Sequence, residues 1–429
     1  MREFGEEQTI FDDMDVLNPN KGYRPRELPE REMELDELHS ALRPATLGST
    51  PLNVFVYGPT GQGKTAAINL KTHQLQSFAD EQGIDVTVVN VKCKGLDKSY
   101  HLLTHLVKEL RGPGAELPKG HQKKALFQMV TTELRRIGGT IIVILDEIDA
   151  IGDDDYVLYE LPRLELDDVR LSIIGITNDL QFRENLNADV RSSLGEDEIE
   201  FSPYNANQLR AILARRAAKG LTDTEFVDRA AEDSRPTVAT NGIDDKILVS
   251  DVLEPDVIPL AAAFAAADSG DARQAIKLLF RACRLADDAG EQSVTEQHVR
   301  DARDYIERRA VERGIHSLPT HAKIALMAVT YYTVRDDATW IETNKLYDYH
   351  KQICAQYGVE SLSDRRYREK LNNLSHSNIL KKKTTGRGQG KGVTNRYSLA
   401  VGIETAIENL PNSDDRLGGG ADVIRDMAS

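Results

Sequence analysis

At 429 residues, with 40% hydrophobic and 29% charged side chains, the chain has room for two to four domains of about 100 to 200 residues each, which excludes a disulfide-stapled miniature fold and a chain disordered throughout. Its 69 acidic against 54 basic residues leave a formal net charge of −15, which bears on solubility and partners and not on fold. Cys93, Cys283 and Cys354 stand far apart without paired Cys or His spacing, and the longest near-apolar run, Val257 to Ala267, has 11 residues, so no disulfide framework, zinc site, secretion signal or membrane span is expected and a cytoplasmic location is the default.

From the N-terminus, strands are expected at Asn53 to Tyr57, Val86 to Val91, Ile141 to Leu145, Leu171 to Thr177 and Glu198 to Phe201, with helices between them. That alternation implies a parallel sheet, and near-continuous apolar strands imply helices on both faces and a ligand at the carboxyl ends. After Pro203 the strand signal stops. Asn207 to Ala218, Val257 to Ala267 and Asp271 to Ala289 carry Ala and Leu at helical spacing, and the acidic, turn-rich segment Leu221 to Pro255 between them is expected partly as an extended surface loop. From Leu318 the order is helix (Thr320 to Val334), helix (Thr343 to Tyr357), helix (Ser363 to Ser375) and hairpin (Ile379 to Leu399), the order of a winged helix. Asn409 to Ser429, with Gly418-Gly419-Gly420 and several aspartates, suits a tethered tail.

Gly58-Pro-Thr-Gly61-Gln62-Gly63-Lys64-Thr65 matches the phosphate-loop pattern, following an apolar strand and opening a helix. Glycines let successive backbone N–H groups face phosphate oxygens, the helix N-terminus adds partial positive charge, Lys64 reaches the outer phosphates and Thr65 can ligate magnesium. Ile141 to Leu145 runs into Asp146 and Glu147, the first suited to the magnesium shell and the second to polarising an attacking water. Asn178 ends the next strand, where its amide can orient that water, whereas Asp149 is expected to cap or solvate.

These motifs, followed by Ser269-Gly270-Asp271-Ala272-Arg273 and a winged helix, resemble the archaeal DNA replication initiators of the origin recognition type, a branch of the AAA+ ATPases. The resemblance spans about residues 9 to 400 and includes Tyr23-Arg-Pro25-Arg-Glu-Leu-Pro-Glu-Arg31-Glu, Ser192-Ser193-Leu194-Gly195 and Pro203-Tyr204-Asn205-Ala206-Asn207-Gln208-Leu209. It implies an α/β fold: an AAA+ base at 1–205, an all-α lid at 206–312 and a winged helix at 313–400, which leaves 401–429 as the flexible acidic tail its own residues suggest. It also implies that Tyr23, Pro25 and Arg31 line the adenine pocket, that Tyr204 and Arg216 bind the nucleotide from the lid side, and that Arg273 is the second sensor. Arg191 stands where related ATPases present an arginine finger to a neighbouring subunit. The chain departs from the family pattern at Glu30, where a histidine is usual, and in the length of Leu221 to Pro255.

Between Ser361 and Ala400 ten basic residues face two acids, a concentration of positive charge fit to attract a phosphate backbone to one face. Ser363 to Ser375 buries Leu371 and Leu374, leaving Arg365, Arg366 and Lys370 for the major groove, while Arg387 and Lys391 in the Gly-rich turn can enter a minor groove. The segment Arg111 to Lys124 is a second candidate DNA contact. The sequence is therefore expected to encode an ATP/ADP- and Mg2+-dependent initiator with slow hydrolysis, binding origin duplex DNA, the MCM-type replicative helicase and other initiator subunits. A nucleotide-bound winged-helix regulator of transcription or plasmid copy number is the alternative.

Overall fold

Successive residues of a strand face opposite sides, and the third strand places Ile141, Val143 and Leu145 in one buried cluster and Ile142 and Ile144 in another. The computed structural model describes residues 9–21, 23, 25–152, 154–194, 197–230, 233–239, 246–386, 393–411 and 417–428, and divides into two units, Met1–Ala302 and Arg303–Ser429. In the first unit, β1 (Val54–Tyr57), β2 (Val86–Lys92), β3 (Gly139–Asp146), β4 (Val169–Thr177) and β5 (Asp197–Glu200) form an all-parallel sheet in the order β2-β3-β4-β1-β5. Helices Glu32–Leu42 and Lys64–Gln82 cover one face, and Ser99–Arg111, Lys123–Ile137 and Ala188–Leu194 the other. With β1 in the sheet beside β4 and β4 beside β3, the phosphate loop, Asn178 and Asp146 lie at three adjacent carboxyl ends.

Helices Ala206–Gly220, Val257–Asp268 and Ala272–Ala289 build the lid. The expectations for its surroundings need two corrections. Leu221 to Pro255, expected partly as loop, also carries strands: β6 (Thr224–Asp228), β7 (Thr237–Ala239) and β8 (Lys246–Ser250) form an antiparallel sheet in the order β6-β8-β7, so the lid is not all-α. Only Leu248 and Val249 of β8 and Val238 of β7 are buried apolar residues, too few for a period-two signal. Asn241 and Gly242, read as a turn, lie outside the described residues. The N-terminal residues, expected with the base, pack on the lid instead: Leu17 is fully buried beside Gly220, where a Cβ would fall 2.9 Å from its Cγ, and the Asp12 N–H donates to the Gly220 carbonyl at 3.0 Å.

The second unit holds helices Thr320–Asp336, Thr343–Gln356 and Asp364–His376 and an antiparallel sheet in the order β10-β11-β9, from β9 (Ile341–Glu342), β10 (Leu380–Gly386) and β11 (Val393–Leu399). The tail is also corrected. Ile403–Glu408 and Gly418–Ala428 are helices, and Leu410, Leu417, Ala421 and Ile424 belong to the winged-helix core. Residues 417, 421 and 424 share one helical face, and burying it outweighs the low helix propensity of three successive glycines. No helix among the described residues is long and apolar enough to cross a membrane.

Candidate nucleotide site and DNA-binding face

The phosphate loop leaves β1 at Gly58, whose φ of 140° and closeness to the Phe201 carbonyl, 2.2 Å from where a Cβ would stand, permit only glycine. Gly63 caps helix Lys64–Gln82 at φ 88°, aiming the helix N-terminus and its unpaired N–H groups into the loop. Lys64 is 5% exposed and donates from Nζ to the Gly58 and Pro59 carbonyls, both at 2.6 Å. Burial lowers its pKa to about 8, against the opposing pull of the Asp146 carboxylate. A buried cation already cradled by backbone oxygens, beside a helix N-terminus, fits a polyphosphate.

Asp146 ends β3 and accepts from Thr65 Oγ1 at 3.2 Å. Hydroxyl and carboxylate are the hard oxygen donors magnesium takes, so these two residues would hold it, and the ion would supply charge neutralisation at the outer phosphates. Glu147 leaves the strand in the left-handed region at φ 56°, half-exposed, with Lys94 Nζ 4.0 Å from its Oε1. Asn178 is half-buried at the end of β4. Asp149, expected to cap or solvate, accepts from Thr177 Oγ1 at 2.7 Å, and that oxygen takes the Asp179 N–H at 3.0 Å, so Asp149 fixes the turn that carries Asn178.

The lid reaches the loop through Ser269-Gly270-Asp271. Ala272 N–H donates to the Gly61 carbonyl at 3.2 Å, and the Asp271 carboxylate, which caps its own helix through the Arg273 and Gln274 N–H groups, lies 1.8 Å from where a Cβ on Gly61 would stand. Arg273 is therefore brought to the phosphate loop, with its side chain exposed. The contact of Asp271 with Gly61 was not legible in sequence, because it joins segments far apart in the chain.

Arg31, expected to line the adenine pocket, is held by the phosphate loop and the segment after β5. It is 3% exposed, and its guanidinium donates to the Gln62 carbonyl (3.1 Å), Gln62 Oε1 (3.4 Å) and the Ser202 carbonyl (2.6 Å), pairs with Glu34 and lies 3.8 Å over the Tyr204 ring. Its contacts tie the loop at Gln62 to the segment at Ser202. Gln62 is fully buried and Tyr204 3% exposed, and burial raises the Tyr204 phenol pKa. Tyr23 and Arg216, distant in the chain, do meet: the guanidinium sits 4.2 Å over the Tyr23 ring and donates to the Val16 carbonyl at 2.7 Å. Pro25 is half-exposed on the stretch between Tyr23 and helix Glu32–Leu42, and Arg191 is exposed on helix Ala188–Leu194.

In the second unit, helix Asp364–His376 buries Tyr367, Leu371 and Leu374 and leaves Arg365 and Arg366 exposed, with Lys370 half-exposed. Arg365 pairs loosely with Glu369 at 3.4 Å, and Lys381, Lys382 and Lys383, which the charge count included without singling out, are exposed along β10. Arg387 and Lys391 lie outside the described residues. In the first unit, Arg111 and Lys123 of the other candidate DNA segment are tied to Glu133 (2.8 Å) and Asp154 (3.4 Å), while Lys119 and Lys124 are exposed.

Against the expectation of no metal-capable spacing, the winged-helix core brings His321, His350 and Cys354 together. His350 Nε2 accepts the Leu362 N–H at 3.2 Å, which fixes the proton on Nδ1 and leaves no lone pair for a cation, and burial beside His321 lowers its pKa to about 4. The trio packs as a neutral core cluster.

Three family models match the chain. Residues 47–184 match the AAA domain, 245–304 the Cdc6 AAA+ ATPase-type lid domain and 313–409 the CDC6 C-terminal winged helix domain. The chain is 36% identical over 425 residues to ORC1-type DNA replication protein 1 of Haloarcula marismortui, covering 96% of this chain and 95% of that one. It is also 36% identical to ORC1-type DNA replication protein 10 of Halobacterium salinarum, over 96% and 94%. The solved Aeropyrum pernix ORC1 protein in complex with DNA superposes with a TM-score of 0.75 at 33% identity, covering 94% of this chain and 97% of that one. The chain belongs to the family of ORC1-type DNA replication proteins, AAA+ ATPases that carry a Cdc6-type lid and a C-terminal winged helix.

Proposed function

We propose that this protein is an ATP-switched replication initiator in the cytoplasm that binds origin duplex DNA through its winged helix and helps recruit an MCM-type replicative helicase. The observation that carries the reading is the meeting of Thr65 and Asp146 beside the buried Lys64 in one unit, in a chain whose other unit exposes Arg365 and Arg366 on one helix. In the nucleotide site Lys64 and the loop amides hold phosphates, Thr65 and Asp146 hold Mg2+, Glu147 and Asn178 place water, and Arg273 senses the γ-phosphate from the lid. Tyr23, Pro25 and Arg216 flank the base, and Arg191 serves a neighbouring initiator subunit. Such a site turns over slowly when its parts align rarely, so ATP and ADP act as states of a switch. Arg365, Arg366, Lys370, Arg387 and Lys391 would contact the duplex, in keeping with the DNA-bound Aeropyrum relative.

Genome-wide mapping of bound DNA, run with wild type, Lys64→Ala and Arg365→Ala, tests this. Origin-proximal peaks that both variants lose are expected. Occupancy confined to promoters would make the protein a regulator instead.

A further inference from the structure

The phosphate loop, the base–lid hinge and the lid are joined in a closed ring of hydrogen bonds with Arg31 inside it. Arg31 bonds Gln62 through both the backbone carbonyl and the side-chain oxygen, at 3.1 and 3.4 Å, and bonds the hinge at the Ser202 carbonyl at 2.6 Å. Two residues on, the Tyr204 N–H is shared between Gln62 Oε1 at 3.2 Å and the Gly270 carbonyl of the lid at 3.1 Å. From Gly270 the lid returns to the loop, where Ala272 N–H meets the Gly61 carbonyl at 3.2 Å. Stacking on Tyr204 at 3.8 Å and on Phe201 at 5.2 Å fixes the plane of the guanidinium.

A buried cation is tolerated only when its hydrogen-bonding capacity is met, and a planar fork meets several fixed oxygens at once where an ammonium cannot. Gln62 and Arg31 are buried, so a shift of either strands the donors of Arg31 and the acceptor oxygens of Gln62 away from water. The backbone between Gly61 and Gly63 is also the part that must admit phosphate oxygens. Moving it moves Gln62, and Gln62 holds the hinge.

We propose that Arg31 is a positioning residue that couples phosphate-loop shape to lid closure through Gln62, so that the two change as one two-state element. This rests on the nucleotide reading above. Arg31 then acts on nucleotide affinity without touching the nucleotide, and Gln62 is its relay.

The test is a double-mutant cycle with Arg31→Lys and Gln62→Ala, read by MgATP affinity and by energy transfer between dyes on Ser77→Cys of the base and Ala289→Cys of the lid. The three native cysteines are buried and leave those labels specific. Arg31→Lys keeps the charge but cannot reach Gln62 and Ser202 together. Each single variant should weaken MgATP binding about tenfold and abolish the nucleotide-induced change in energy transfer, and the double variant should be no worse than either single. Unliganded melting temperatures, recorded beside the affinities, separate coupling from support, because a merely structural Arg31 would lower the melt and leave the nucleotide-induced change intact. Should Arg31→Lys not fold, Gln62→Ala alone must still lose that change. Additive losses, or single variants that close normally on MgATP, overturn the inference, and a wild type that takes up no MgATP overturns it together with the nucleotide reading.

Discussion

Raising the pH from 7 to 9 should weaken nucleotide binding about tenfold, and Lys64 is the reason. Burial lowers its pKa from 10.5 to about 8 in the free site, which corresponds to about 3 kcal/mol at 1.36 kcal/mol per pH unit. A bound polyphosphate favours the charged form and returns the pKa above the measured range. Below pH 8 the lysine is protonated in both states and affinity is flat; above it, binding must take up a proton, and affinity falls by a factor approaching ten per pH unit. At pH 9 the uptake is about 0.9 proton. The charged groups facing Lys64 are Asp146, Asp149, Asp271 and Arg31. Burial also pushes the Cys93 thiol up to about 12 and raises the Tyr204 phenol, and the last ionisation of a phosphate ester lies near pH 6. Calorimetry of MgATP binding at pH 7, 8 and 9 in two buffers of different ionisation enthalpy reads both affinity and proton uptake. Lys64→Arg, whose charge is permanent, should flatten the profile. Constant wild-type affinity, or an equal decline in Lys64→Arg, would refute the assignment of the titrating group.

Gly61→Ala should lower nucleotide affinity at least tenfold with helical content unchanged by circular dichroism, because its Cβ would stand 1.8 Å from Asp271 Oδ1 at a φ of 79°. Asp149→Ala, by releasing Thr177 and the turn bearing Asn178, should reduce ATP turnover about tenfold while MgATP affinity changes less than threefold in the same preparation. Replacing Arg365 and Arg366 together by Ala should reduce the slope of log K against log salt for duplex binding by about 2, since each phosphate that a cation neutralises adds roughly 0.9 to that slope. Ile424→Ala should cost about 2 to 5 kcal/mol in denaturant unfolding of the winged helix, since Ile424 is fully buried; a free tail would give no change.

The elements that local sequence specifies were legible. The phosphate loop and the strand before Asp146 are contiguous motifs whose chemistry needs neighbouring residues, and the amphipathic helices of the winged helix carry their own period. Contacts among distant segments were not: Arg31, Gln62, Ser202 and Gly270 meet only after the sheet and lid have folded, so the hydrogen bonds of Arg31 to Gln62 and Ser202 were not foreseen. Gly220, which the sequence did not single out, is the gap that admits Leu17. The same limit applies at the C-terminus, where three glycines read as a break although Leu417, Ala421 and Ile424 offered a face for the core to bury.

The proposed ATP switch is tested most directly by fluorescence anisotropy of a labelled origin duplex titrated at constant salt with wild type and Lys64→Ala, each in MgATP, MgADP and no nucleotide. Wild-type affinity that differs at least fivefold between MgATP and MgADP, with Lys64→Ala insensitive to either, is the predicted result. Identical wild-type affinities in all three conditions would contradict the account.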